Sequence, residues 1–229
     1  MREDNLATIV LAHGGWSAAW AWKKVRPLMA AAGHHFFTPT YTGLGERAHL
    51  ASRSNDLETH IQDLLGVLKF EDLRKVVLIG HSYGGMVATG VADRARDRVA
   101  QLIYLDAFVP TSGQALIDLV PPTERQRLLD SVKTGDGWRV TPNPTPPDTS
   151  PEDLEWISKY RMPRSVKCSS SNHSACKLNL VCRARTSTAR AMPIKSRSLS
   201  LRAARMARLA GKPTSLTPAT VQMSRHRLH

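Results

Sequence analysis

Between Leu6 and Leu105 the apolar residues follow two alternating spacings. Leu6 to Ala12 is a short apolar run rich in β-branched residues that ends at His13-Gly14-Gly15, which predicts a buried strand entering a tight turn. Trp22 to Ala32 then places Val25, Leu28, Met29 and Ala32 on one side, the spacing of a helix, with Gly33 as its stop. His35 to Thr38 predicts a second strand, and a loop follows through Gly43 and Gly45. Leu57, Ile61, Leu64, Leu65 and Leu68 define one face of a helix over Leu57 to Leu68. Val76 to Ile79 reads as a strand, Ser82 to Ala95 as a helix and Val99 to Leu105 as another strand. Strands alternating with helices predict an α/β fold, a parallel sheet covered on both faces.

From Pro110 to Ser165 the pattern changes. Helical pieces at Glu124 to Val132 and Pro151 to Tyr160 flank a Pro-rich stretch from Thr141 to Pro151, and an excursion of this length predicts a lid or cap. Trp138 and Trp156 there either line a pocket or pack the cap. After this region the composition breaks. Val166 to His229 carries thirteen Lys and Arg, no Asp or Glu and no Phe, Tyr or Trp, so the formal charge of +13 belongs entirely to the tail. The organisation expected is a core at 1–109, a cap at 110–165 and a basic tail at 166–229. Low hydrophobicity with high net charge leaves the tail too little apolar area to offset ordering entropy, so irregular backbone is expected after about Ser165. One stretch, Ser198 to Ala210, has the spacing of a basic amphipathic helix.

The absence of any run of some eighteen apolar residues argues against a membrane span, and the reading is of a soluble, cytoplasmic protein. Cys168, Cys176 and Cys182, with His173, lack the paired short spacing of a zinc site, so no metal is expected.

Chemistry is carried by Gly80-His81-Ser82-Tyr83-Gly84, a G-x-S-x-G placed between a β-rich apolar run and a helix. A serine at so sharp a turn exposes its hydroxyl at the carboxyl end of the sheet, with a helix N-terminus behind it to favour developing negative charge. Ser82 is the candidate nucleophile, with Gly80, His81 and Gly84 shaping the elbow. An acyl-transfer site also needs two backbone N–H groups for the oxyanion; Tyr83 and Gly15 are placed to supply them. His81 reads as a packing residue of the elbow, since neighbours on a sharp turn point apart. His13 is expected to order the oxyanion loop, His34 and His35 to open a strand, and Asp63 and Asp72 to be solvated helix-face and helix-end charges.

On these residues the chain resembles the α/β-hydrolase superfamily, and within it the small esterases related to plant methylesterases and hydroxynitrile lyases. The resemblance is carried by His13-Gly14-Gly15 with Trp16, Trp20 and Trp22, by Pro27-Leu28 and Gly33-His34, by the elbow, and by Leu105-Asp106-Ala107-Phe108-Val109-Pro110. Gly43-Leu44-Gly45-Glu46-Arg47 is similar to bacterial esterase members. The resemblance implies hydrolysis of small carboxylic esters by a Ser-His-Asp triad under a helical cap, without cofactor.

In that fold the acid and then the histidine follow the nucleophile in chain order. Here no acid follows Glu155, and His173, His226 and His229 have no recognisable strand before them, so the triad histidine is not identified. Asp106, at the carboxyl end of its strand, is an alternative acid or a structural residue. A serine without a general base is a weak nucleophile at neutral pH, so turnover is expected to be impaired or absent. A tail translated in a shifted reading frame accounts for the break. Pairing each codon's third base with the next two permits A-Y-E-P-D-A-S-H-S-P-N over Pro213 to Met223, similar to the family's histidine loop, and a strand-like R-T-Y-I-Y-C over Arg183 to Ala189. It also permits F-E-Q after Cys168 and an Asp at Ile194. Two alternatives stay open: lyase chemistry on cyanohydrins by the same serine, or a non-catalytic domain with a basic nucleic-acid arm. Nonspecific attraction is what the tail's charge supports, because no aromatic residue interleaves it for readout.

Overall fold

A computed structural model describes residues 6–170 and the pair 185–186. Its strands are β1 (Thr8–Ala12), β2 (His35–Phe37), β3 (Val76–Ser82), β4 (Val99–Ala107), β5 (Arg139–Val140), β6 (Arg164–Ser165) and β7 (Arg185–Thr186). Its helices are α1 (Arg26–Ala31), α2 (Leu57–Phe70), α3 (Gly84–Arg94), α4 (Leu116–Leu119), α5 (Pro122–Thr134), α6 (Pro151–Tyr160) and α7 (Lys167–Ser170), with 3₁₀ turns at Ala19–Trp22 and Gly45–Leu50.

The main sheet runs in the order β2-β1-β3-β4-β7 and every pairing in it is parallel. Alternation along β1 divides the core between its faces. Val10 and Ala12 join Leu57, Ile61, Leu64 and Leu68 of α2 and Met86, Val87 and Val91 of α3. Ile9 and Leu11 join Ile79, Ile103 and, from the opposite side, Trp22, Val25 and Met29. Helices therefore cover both faces, as the alternation of periods predicts.

α2 is fixed at its start by a capping box: the Thr59 N–H donates to Asp56 Oδ1 at 2.9 Å, and the Asp56 N–H to Thr59 Oγ1 at 3.3 Å. The helix expected over Trp22 to Ala32 is instead a 3₁₀ turn followed by α1, with Pro27 in its first turn. Proline lacks an N–H and collides with the carbonyl four residues back, so it opens a helix rather than continuing one. His34 is buried and its Nδ1 accepts from the Ala7 N–H at 3.3 Å, while exposed His35 begins β2.

The stretch from Pro110 to Ser165 holds α4, α5 and α6 with a small antiparallel pair, β5 with β6, in which Arg139 faces Ser165 and Val140 faces Arg164. α6 docks on the core through Lys24, whose Nζ lies 2.8 Å from Asp153 Oδ1 and 3.5 Å from Glu152 Oε1. Trp156 packs edge-on against Trp20 with ring centroids 5.4 Å apart, so this tryptophan joins α6 to the 3₁₀ turn at Ala19–Trp22.

After β6 the chain forms the short α7, which buries Cys168 and Ser169. The sheet ends at β7, which pairs with Ile103 and Tyr104 of β4 among the described residues. The rest of the tail, including the helix expected at Ser198 to Ala210, His173, Cys176, Cys182 and the window over Pro213 to Met223, lies outside the described residues.

Candidate active site

β3 does not stop at Ile79 but continues to Ser82, and α3 starts two residues later at Gly84. Between them the chain reverses sharply, which sets Ser82 at φ +53°, a left-handed conformation that an L-residue adopts only under constraint. The constraint is packing. A Cβ on Gly84 would stand 2.0 Å from the Ala12 carbonyl oxygen, and one on Gly80 2.8 Å from that of Gly84, so α3 can approach β1 this closely only on bare backbone. His81 turns away, its ring edge-on to Trp22 at 5.5 Å. Gly14 lies alongside: a Cβ there would meet Ser82 Cβ at 3.4 Å. The elbow residues and the His13-Gly14-Gly15 loop are thus neighbours.

The loop is held by a stack of rings. Tyr41 lies between His13, at 3.8 Å between centroids, and His60, at 4.6 Å. The Tyr41 N–H donates to His13 Nε2 at 3.2 Å, so that nitrogen is unprotonated and Nδ1 carries the hydrogen donated to the Gly14 carbonyl at 2.8 Å. The Tyr41 hydroxyl donates to the His13 carbonyl at 3.1 Å. His60 Nε2 faces the Thr42 carbonyl at 3.2 Å and must donate to it, which leaves Nδ1 to accept from the Tyr83 hydroxyl at 2.9 Å. Burial, chiefly, pushes His13 down to about 4 and His60 down to about 3. Both rings are neutral with both nitrogens engaged. Neither has an atom left to take a proton from Ser82.

Asp106 stands exposed at the carboxyl end of β4, itself at φ +46°, and makes no ion pair among the described residues. It shares an edge of the sheet with Ser82, since Ser82 pairs with Ala107. Asp63 departs from its expected role. Its side chain is only 10% exposed, and it accepts from the Thr42 N–H at 2.6 Å, the Thr42 hydroxyl at 2.8 Å and Arg47 Nη1 at 2.9 Å, pinning the loop after β2. Asp72 is solvated as expected, beside Arg98 and Arg74.

Three residues at the site carry no sequence signal of their own. Tyr41 and His60 belong to the ring stack. The third is Arg164, only 3% exposed, whose guanidinium lies 4.8 Å from the Tyr83 ring centroid and 5.2 Å from that of Trp16. Among the described residues no group of three or more metal-ligating side chains occurs, and no helix is long and apolar enough to cross a membrane.

Comparison with known proteins agrees with this geometry. The model of the alpha/beta hydrolase family matches residues 9–217. The chain is 50% identical over 116 residues to a carbendazim hydrolyzing esterase from Nocardioides sp. (strain SG-4G), covering 51% of this chain and 48% of that protein. It is 32% identical over 143 residues to methylesterase 7 of Arabidopsis thaliana, covering 62% and 53%. The chain thus spans about half the length of these curated relatives. Among solved structures, an extracellular alpha/beta-hydrolase from a Paenibacillus species superposes with a TM-score of 0.67 at 24% identity, over 75% of this chain and 72% of that one.

Proposed function

Because the chain belongs to the alpha/beta hydrolase family, we propose that it carries the nucleophile half of a serine carboxylesterase acting on small carboxylic esters, and that it turns them over poorly. In the complete reaction Ser82 Oγ adds to the ester carbonyl while its proton passes to a base, and the oxyanion is held by the N–H groups of Gly15 and Tyr83. Collapse breaks the bond to the alkoxy group, which leaves as the alcohol with that proton. Water then cleaves the acyl-enzyme, releasing the acid and restoring the hydroxyl. The observation that carries the reading is the strained Ser82 at φ +53° on the junction of β3 and α3. Its relatives' names, esterase and methylesterase, support the ester class.

Poor turnover is supported by the commitment of His13 and His60 to the loop and by the lack of any acid after Glu155. Loss of a triad member costs roughly three to six powers of ten in rate. The test is labelling by a fluorophosphonate together with hydrolysis of p-nitrophenyl acetate, compared with a Ser82→Ala variant. Slow labelling confined to Ser82, with ester turnover near that of the variant, is expected. Rapid stoichiometric labelling of Ser82 would overturn the impairment; labelling elsewhere but never at Ser82 would overturn the assignment.

A further inference from the structure

The Gly15 N–H belongs to the peptide whose carbonyl is that of Gly14. In a trans peptide the two groups point in opposite directions, so whatever holds the carbonyl also aims the N–H. The Gly14 carbonyl accepts twice, from the Ser17 N–H at 3.2 Å and from His13 Nδ1 at 2.8 Å. The first bond closes a backbone turn. The second comes from a side chain, and it exists only while Nδ1 carries the ring hydrogen and faces that carbonyl. Two successive glycines offer little resistance of their own to a swing of the peptide plane, so these bonds set its direction.

Tyr41, fully buried in the loop after β2, holds the His13 ring in that state. Its N–H occupies Nε2 at 3.2 Å, which sends the hydrogen to Nδ1, and its ring covers the imidazole at 3.8 Å between centroids. Its hydroxyl donates to the His13 carbonyl at 3.1 Å, so main chain and ring of His13 are gripped by the same residue. The other face of Tyr41 stacks on His60, which in turn holds the Tyr83 hydroxyl at 2.9 Å. α2 fixes the next residue from both sides: His60 donates to the Thr42 carbonyl, while Asp63 accepts from the Thr42 N–H and hydroxyl. Packing alone does not call for the Tyr41 hydroxyl, because a phenyl ring fills the same space.

On the esterase reading, we infer that Tyr41 is a positioning residue of the oxyanion hole: acting through His13, it aims the Gly15 N–H at the oxygen that gains negative charge when Ser82 attacks. Tyr41 itself touches no substrate. A donor stabilises that charge only when it is aimed within hydrogen-bonding geometry before the reaction begins, and a tilted one gives most of the benefit away.

The experiment measures modification of Ser82 in the full chain by diethyl phosphorofluoridate and by its P=S analogue, followed by the mass of the peptide that contains Ser82. In both reactions Oγ bonds to phosphorus, the P–F bond breaks, fluoride leaves and the hydroxyl proton passes to water. Charge grows on oxygen with the first reagent and on sulfur, a weak acceptor, with the second. The ratio of the two rates therefore reads the aim of the donors and is insensitive to the folded fraction, which cancels. Tyr41→Phe should lower the oxygen-to-sulfur ratio about tenfold, less than the loss of a whole donor. A ratio that Tyr41→Phe leaves unchanged would overturn the positioning role. His13→Asn, whose amide N–H reaches the place of Nδ1, should keep the parent ratio, whereas His13→Gln, whose amide lies further out toward Tyr41, should lose it. Equal ratios in these two variants would overturn the role even if Tyr41→Phe does not fold. Absence of Ser82 modification by either reagent in the parent would overturn the esterase reading and this role together, whereas modification at Ser82 with indifferent ratios strikes the role alone.

Discussion

Acidification should unfold this protein through two buried imidazoles. His13 and His60 sit at about 4 and about 3 in the fold against an ordinary value of 6.5. A lowered histidine value gives stability that is fully present above 6.5 and is lost as the pH falls from there toward the folded values, because the unfolded rings take up protons that the folded ones refuse. At pH 5 the unfolded chain binds about two more protons at these sites than the native one, a slope of roughly 2.5 kcal/mol per pH unit, and integrating down from pH 7 removes about 4 kcal/mol. A domain of this size has roughly 5–15 kcal/mol in all, so the loss is a large share of the total. The assay is urea unfolding followed by tryptophan fluorescence at pH 7, 6 and 5 in constant salt. His60→Gln, which has no titrating ring, should retain about half of the slope. Stability that is flat between pH 7 and 5, or a slope that His60→Gln leaves unchanged, would show that the rings do not carry the effect and that their tautomers are not fixed as the hydrogen bonds require.

Two further outcomes follow from the elbow and from α7. Ser82→Gly removes the strain of a left-handed L-residue and should raise the urea midpoint by an amount worth about 1 kcal/mol, whereas Ser82→Ala should not; equal midpoints for the two variants would refute the strain. Burial pushes the Cys168 thiol up to about 11, so iodoacetamide at pH 8 should leave it unmodified in the native protein and label it in urea, as read by mass spectrometry of the peptide that contains it. Fast native labelling at that position would mean that α7 does not hold the thiol in the core.

The parts of the fold legible in the sequence are those with a repeating period or a dedicated turn residue. α2 shows its buried face in Leu57, Ile61, Leu64 and Leu68, and the elbow shows itself through glycines that packing demands at positions 80 and 84. Where period alone guided the reading it failed at punctuation. Pro27 divides the stretch from Trp22 to Ala32, and Asp63, on what resembles a polar helix face, is taken up by the loop it anchors. β5 and β6 are two residues each, too short to carry any alternation, so the small sheet that drives Arg164 inward leaves no trace in the pattern. His60 is likewise hidden, because a histidine on an apolar helix face has the same spacing whether it fills space or bonds to Tyr83.

The full engagement of both ring nitrogens in His13 and His60 limits what other chemistry these rings can serve. Redirecting either imidazole toward Ser82 would release the Tyr41 amide or the Tyr83 hydroxyl into the interior and undo the loop it was meant to serve.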